Sequence, residues 1–258
     1  MAEATGVAAA FERRAARAES LAAHGEAARD VLSFATGLLR AQAGIAQALE
    51  ALRPRRPLTG RLGDDARLLL DAGGELVRFA AGSGLPALAD AQGVAETDLV
   101  AYWAGDTDDY LCRALLRPYV ELLAALGVAP ESRPRPAGCP FCGGPPWLGA
   151  RRPAAEGEGA ARFLVCALCG GEWPIVRVRC PACSEAGPER LPGYSSEQHL
   201  GARIEACETC RRYLKTIDAG LDPQAIPEVD DLLSVALDLW ARSQGYERLE
   251  PGLAGVIS

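Results

Sequence analysis

The sequence predicts an α+β chain: an N-terminal α-helical domain, two tandem four-cysteine modules and a C-terminal helix. Three observations lead there. Apolar residues recur at helical spacing through the first half of the 258 residues. Eight of the nine cysteines form four C-x-x-C pairs between positions 139 and 210. A helical stripe then resumes behind Pro227.

Residues 1–128 read as the helical domain. Leu32, Leu38, Leu39, Ile45, Leu49 and Leu52 follow helical spacing within Ala27–Leu52, a stretch that Pro54 and Pro57 end. A second stretch near Asp64–Phe79 carries Leu68, Leu69, Leu70 and Val77, and Gly82, Gly84 and Pro86 break it. A third, near Asp109–Leu126, sets Leu111, Leu115, Leu116, Tyr119 and Val120 on one side. Such stripes make a bundle core. Residues 129–138, APESRPRPAG, hold three prolines and are expected to be an extended linker. Residues 139–179 and 180–220 are the two four-cysteine modules, with short β-prone runs at Arg162–Val165 and Ile175–Val178. These modules have few apolar residues, so metal is expected to supply much of their stability. In the acidic tail, 221–258, Pro227 opens a helix whose apolar face runs through Ile226, Val229, Leu232, Leu233, Ala236, Leu237 and Trp240 to a stop at Gly245. That face is expected to pack on the chain's own domains.

The cysteines carry the chemistry. Two cysteines separated by two residues turn both sulfurs toward one ion, and two such pairs complete a tetrahedral thiolate shell. Adding 41 to Cys139, Cys142, Cys166 and Cys169 gives Cys180, Cys183, Cys207 and Cys210, and Pro140 maps onto Pro181 by the same step. The region is a tandem duplication, which favours one ion per copy. All eight sulfurs are then committed, with no open position for a substrate. A structural or electron-carrying site is expected rather than hydrolytic catalysis. Iron and zinc both accept four sulfurs.

Other candidates are weaker. Cys112 lies in a helical stretch and reads as a small buried apolar residue. Of the two histidines, His24 and His199, only His199 lies inside a module, where four cysteines already serve. Asp106, Asp108 and Asp109 read as a solvated loop or helix cap. Residues 139–217 hold 10 basic and 8 acidic side chains, too even a balance for a nucleic-acid footprint. Residues 218–258 hold 2 and 8. The N-terminal stretch has no basic region followed by an apolar core, and no window is long and apolar enough to span a bilayer, so a cytoplasmic protein is expected.

The cysteine region resembles the FdhE formate dehydrogenase accessory proteins. The resemblance lies in CPFCGGPP at 139–146, RFLVCALCGGEW at 162–173, VRVRCPACSE at 176–185, IEACETCRRYLKTID at 204–218 and the tail PEVDDLLSVALDLWARSQGYER at 227–248. It is looser in the N-terminal part. It implies a cytoplasmic non-enzyme with two rubredoxin-like modules, iron as the expected metal with zinc as the alternative, and Cys139, Cys142, Cys166, Cys169, Cys180, Cys183, Cys207 and Cys210 as ligands. It also implies a role in forming respiratory formate dehydrogenase, by binding the molybdenum-containing catalytic subunit before export. The helical domain and acidic tail would complete that partner surface. A rubredoxin-like electron carrier is the second expectation, and a zinc-ribbon nucleic-acid binder the third. The second copy departs in one respect: Ser184 and Arg211 stand where the first has Gly143 and Gly170.

Overall fold

A computed structural model describes residues 6–24, 26–82, 93–131, 137–153, 160–176, 178–253 and 255. The Pro-rich linker falls largely on 132–136, and Gly84 and Pro86 on 83–92, all outside the described residues.

The chain begins with a helical hairpin. Helix α1 (Val7–His24) buries Val7, Phe11, Ala15 and Ala18 along one stripe. It lies antiparallel to α2 (Arg29–Leu52): the Val7 amide donates to Glu50 at one end, and Arg40 pairs with Glu19 toward the other. Alanines on both stripes let the helices approach closely. The expected second helix is two, α3 (Leu62–Ala72) and α4 (Gly74–Gly82), parted at Gly73. A Cβ at Gly73 would lie 2.4 Å from Leu115 Cδ2, so the break is where another helix leans on bare backbone. Helix α5 (Glu96–Ala104), which periodicity did not single out, adds Leu99, Tyr102 and Trp103 to the core.

Helix α6 (Tyr110–Leu126) is the central strut, and Asp109 caps it by accepting the Cys112 amide at 2.6 Å. Pro118 sits inside it. Proline cannot donate to the carbonyl four residues back. That carbonyl, on Ala114, accepts the buried Gln42 Nε2 at 2.9 Å instead. The helix therefore continues through the proline because α2 supplies the missing donor.

Both modules contribute to one seven-stranded sheet. In the first, β1 (Pro146–Pro153), β2 (Ala160–Cys166) and β3 (Glu172–Pro174) pair antiparallel in turn. In the second, β4 (Gly193–Ser195), β5 (Ala202–Ala206) and β6 (Arg212–Asp218) do the same. Parallel pairing of β1 with β6 joins them in the order β3-β2-β1-β6-β5-β4. At that seam Gly149 faces Thr216, and a Cβ on Gly149 would meet Thr216 Oγ1 at 2.2 Å, so glycine permits the join. The β-prone run Arg162–Val165 lies in β2. Ile175 and Val176, by contrast, follow the end of β3, although the Ile175 amide still donates to the Arg162 carbonyl at 3.3 Å.

The tail is less regular than its pattern. It comprises α7 (Pro227–Asp230), a 3₁₀ turn (Asp231–Ser234) and α8 (Val235–Ser243), followed by β7 (Glu247–Arg248) on β6. Lys215 Nζ reaches the Asp231 and Ser234 carbonyls at 2.9 and 3.2 Å, taking acceptors that a continuous helix would have used. The tighter turn shifts the side-chain phase. Val229, Leu232 and Leu237 are buried, whereas Leu233 and Ala236 face solvent. Most of the expected face therefore packs on the chain itself, and two of its members do not.

One continuous core runs from Phe11 through Leu115 to Trp147, Cys166 and Leu168, so the first module shares the packing of the helices. The second module packs a smaller core of its own, Ile204, Tyr213, Ile217, Leu237, Ala241 and Tyr246.

Candidate metal centres

Each module brings its four cysteines together at two matching turns. The Cys139 amide donates to the Gly144 carbonyl at 2.9 Å, and the Gly143 amide to the Cys139 carbonyl at 2.8 Å. Forty-one residues on, the Cys180 amide donates to Glu185 at 2.8 Å and Ser184 to Cys180 at 3.0 Å. The turns at Cys166 and Cys207 match in the same way, through Gly171 and Arg212 at 2.9 Å each. These loops require a left-handed residue after each pair. Gly143 and Gly170 supply it at φ 67° and 66°, and Ser184 and Arg211 adopt the same conformation at φ 65° and 57°. The missing glycines leave the geometry intact, at a steric cost glycine would not incur.

The sulfurs of Cys139, Cys142, Cys166 and Cys169 all lie within 4.8 Å of one another, as do those of Cys180, Cys183, Cys207 and Cys210. The near contacts are 3.5 Å for Cys139–Cys169, 3.4 Å for Cys142–Cys166, 3.8 Å for Cys180–Cys210 and 3.6 Å for Cys183–Cys207. A tetrahedral ion with metal–sulfur bonds of about 2.3 Å sets its ligands about 3.8 Å apart. The sets are thus of the right size for one ion each. None of the cysteines is disulfide-bonded. Backbone amides of Gly144, Leu168, Gly171 and Ala182 point at sulfurs from 3.4 Å, which favours thiolate.

Within each group the sulfurs differ in their ease of ionisation. Hydrogen bonds from Cys142, Cys166 and Cys169 pull the Cys139 thiol down, while burial pushes Cys166 up. In the second group burial raises Cys180 to about 12. Four sulfurs this close cannot all ionise by themselves, and a bound cation is what would release the remaining protons. No histidine belongs to either group among the described residues. Cys112 is buried in α6, and burial raises its thiol pKa, so it is neither a ligand nor a ready nucleophile.

Two buried ionic clusters beside the modules were not legible in the sequence. In the first, Arg117 bridges Glu121 at 2.9 Å and Glu228 at 2.6 Å, and Arg14 holds the same two carboxylates at 2.8 and 2.6 Å. Arg117 also lies over the Trp147 ring at 4.6 Å, tying α1, α6, the tail and the first module together. In the second, Lys215 pairs with Asp231 at 3.0 Å and with Asp238, and Arg248 pairs with Asp231 and Asp238 at 3.0 and 3.1 Å. Each cluster sets two cations against two carboxylates. The tail's Glu228, Asp231 and Asp238 are all buried, so these acidic residues serve as internal clamps and not as the partner surface expected of them. A cue existed in the sequence: Lys215, the only lysine, sits in an apolar strand.

Helical domain, shared sheet and paired four-cysteine groups define a protein built around tandem zinc-ribbon-type modules. Comparison with known proteins makes this specific. The family model for the FdhE central domain matches residues 138–177, and that for the FdhE C-terminal domain matches 178–253. Among relatives, the FdhE homolog of Aquifex aeolicus is 36% identical over 117 residues, 45% of this chain and 41% of that protein. The homolog of Pseudomonas putida is 36% identical over 152 residues, 56% of this chain and 46% of that one. These matches span less than half the length of those relatives. The crystal structure of the FdhE protein from Pseudomonas aeruginosa superposes with a TM-score of 0.68 at 27% identity, over 95% of both chains. Residues 138–253 match the FdhE family models, and the fold is similar to that of an FdhE protein over nearly the whole chain.

Proposed function

We propose that this protein is a formate dehydrogenase formation factor, which binds the molybdenum-containing catalytic subunit in the cytoplasm before export. The observation that carries the reading is the likeness to an FdhE protein over 95% of both chains, helical domain included, where a generic zinc ribbon would match only the modules. The described helices include none long and apolar enough to cross a membrane.

Cys139, Cys142, Cys166 and Cys169 hold one ion, and Cys180, Cys183, Cys207 and Cys210 a second, with iron expected and zinc the alternative. When bound, the ions fix the knuckle loops and, if iron, supply one-electron chemistry. The chain's own residues do the rest: amides steady the thiolates, and the ionic clusters lock the tail and the helical domain onto the sheet. With all eight module sulfurs committed to ions, the protein works by binding and not by catalysis. The partner then meets a rigid surface set by the metal loops and the helical domain.

Capture by the tagged catalytic subunit tests this. The wild type should be retained, and a Cys180→Ser/Cys183→Ser variant retained several-fold less. Equal capture of both would defeat a metal-dependent surface, and capture of neither would defeat the partner assignment.

A further inference from the structure

The two four-cysteine groups repeat in sequence but not in surroundings. In the first, Cys139, Cys142 and Cys166 are at most 6% exposed, and they belong to the core that runs through the helices. Cys169 is half-buried. In the second, Cys180 and Cys207 are buried and Cys210 is half-buried like Cys169, but Cys183 is exposed where its counterpart Cys142 is buried. No cysteine of the second group belongs to either packed core. A cavity of about 240 Å³ reaches Cys180 and Cys207 from its side, between Arg162, Arg203 and Leu191. The left-handed turns add a second difference, being glycines in the first copy and Ser184 and Arg211 in the second.

Both differences act on the same step. An ion leaves a four-thiolate site when one sulfur detaches and an incoming ligand takes its place. Detachment is resisted where packed side chains hold the loop, and eased where the loop is strained and open to water. The left-handed conformation strains a residue that carries a Cβ, and opening of the loop releases that strain.

The second module has contacts besides its ion that hold it to the chain. Lys215, Arg248, Asp231 and Asp238 clamp β6 to the tail from within. Arg211 is tied at the rim by the Gln244 carbonyl at 2.5 Å and by the Tyr246 ring at 4.0 Å. The sheet therefore has its own hold on the chain when the knuckles loosen.

From this we propose that the second group, Cys180/Cys183/Cys207/Cys210, is an exchangeable metal centre, open to small thiol or chelating ligands, while the first is a permanent structural one. This rests on the two-ion reading above. The protein then passes between two-ion and one-ion forms without unfolding, and the state of the second centre sets the shape of its exposed knuckles, including Cys183.

Chelator competition on the full-length, zinc-loaded chain tests it, with released ion counted by a metal-sensitive dye and fold followed by far-ultraviolet circular dichroism. Two equivalents should leave in two phases, the first roughly tenfold faster, the ratio that about 1.4 kcal/mol provides. The dichroism should hold through the first phase and fall only with the second. Cys183→Ser should abolish the fast equivalent and keep the slow one. Ser184→Gly, which removes strain and no ligand, should slow the fast phase a few-fold and leave the slow phase alone. Release of both ions in one phase overturns the proposal, as does loss of the slow equivalent in Cys183→Ser. A loaded wild type holding fewer than two ions would instead bring down the two-ion reading itself.

Discussion

Replacing Lys215 by methionine removes the one lysine from a site where it has no contact with water. Its ammonium meets Asp231 at 3.0 Å, Asp238, and the Asp231 and Ser234 carbonyls at 2.9 and 3.2 Å. Methionine fills much the same volume but leaves two buried carboxylates with Arg248 and, on Asp238, the Tyr213 hydroxyl at 2.7 Å. Removing one partner of a buried ion pair costs about 3–5 kcal/mol, chiefly because the other charge is stranded. In a chain of this length each kcal/mol moves the midpoint about 2–4 °C, so a fall of roughly 6–20 °C is expected. The assay is thermal unfolding of metal-loaded protein with the metal content matched to wild type. The effect has a pH signature. Burial opposes ionisation of Asp231, but Arg248 and Lys215 overcome it and hold its pKa below the usual carboxylate value. A depressed carboxylate stabilises the fold above its unfolded pKa of about 4 and loses that contribution as pH falls through its lower folded value. In Lys215→Met the depression shrinks, so the difference between variant and wild type should narrow as the carboxylate protonates. A midpoint within about 2 °C of wild type at neutral pH would refute the clamp argument.

Further outcomes follow from the same structure. Glu228→Gln leaves Arg117 and Arg14 with one carboxylate fewer, and should cost about 3 kcal/mol or more and expose the tail to limited proteolysis, while metal content stays the same. Gln42→Leu strands the Ala114 carbonyl opposite Pro118 and should destabilise by about 1–3 kcal/mol, read by urea unfolding. Anaerobic purification followed by elemental analysis should return two ions per chain, and a visible absorption that bleaches on reduction would identify iron. Loading the metal-free chain at neutral pH should release protons, more than one per ion, because burial holds sulfurs such as Cys166 and Cys180 protonated until the cation arrives.

The strongest sequence signals were those whose physics is local. Cysteine pairs two residues apart, duplicated at a step of 41, imply two clusters without any knowledge of the fold, and the sulfurs do gather within each copy. Helical stripes located α2, which ends before Pro54 as expected, and α6 to within a few residues. The misses share one cause. The break at Gly73 depends on Leu115, and the 3₁₀ turn of the tail depends on Lys215. In each case a side chain far away in sequence supplies or takes what the local pattern lacked.

Charge makes the same division. From the sequence alone come the helical and cysteine-rich segments, their duplication and the identity of eight sulfurs, because spacing along a chain decides which neighbours can turn toward one point. Where the charges would lie was decided by the tertiary structure. Glu228, Asp231 and Asp238 count as an acidic tail in the sequence, yet they fold inward against Arg14, Arg117, Lys215 and Arg248. Net charge is a sum over residues, whereas burial and pairing depend on contacts the linear order does not contain.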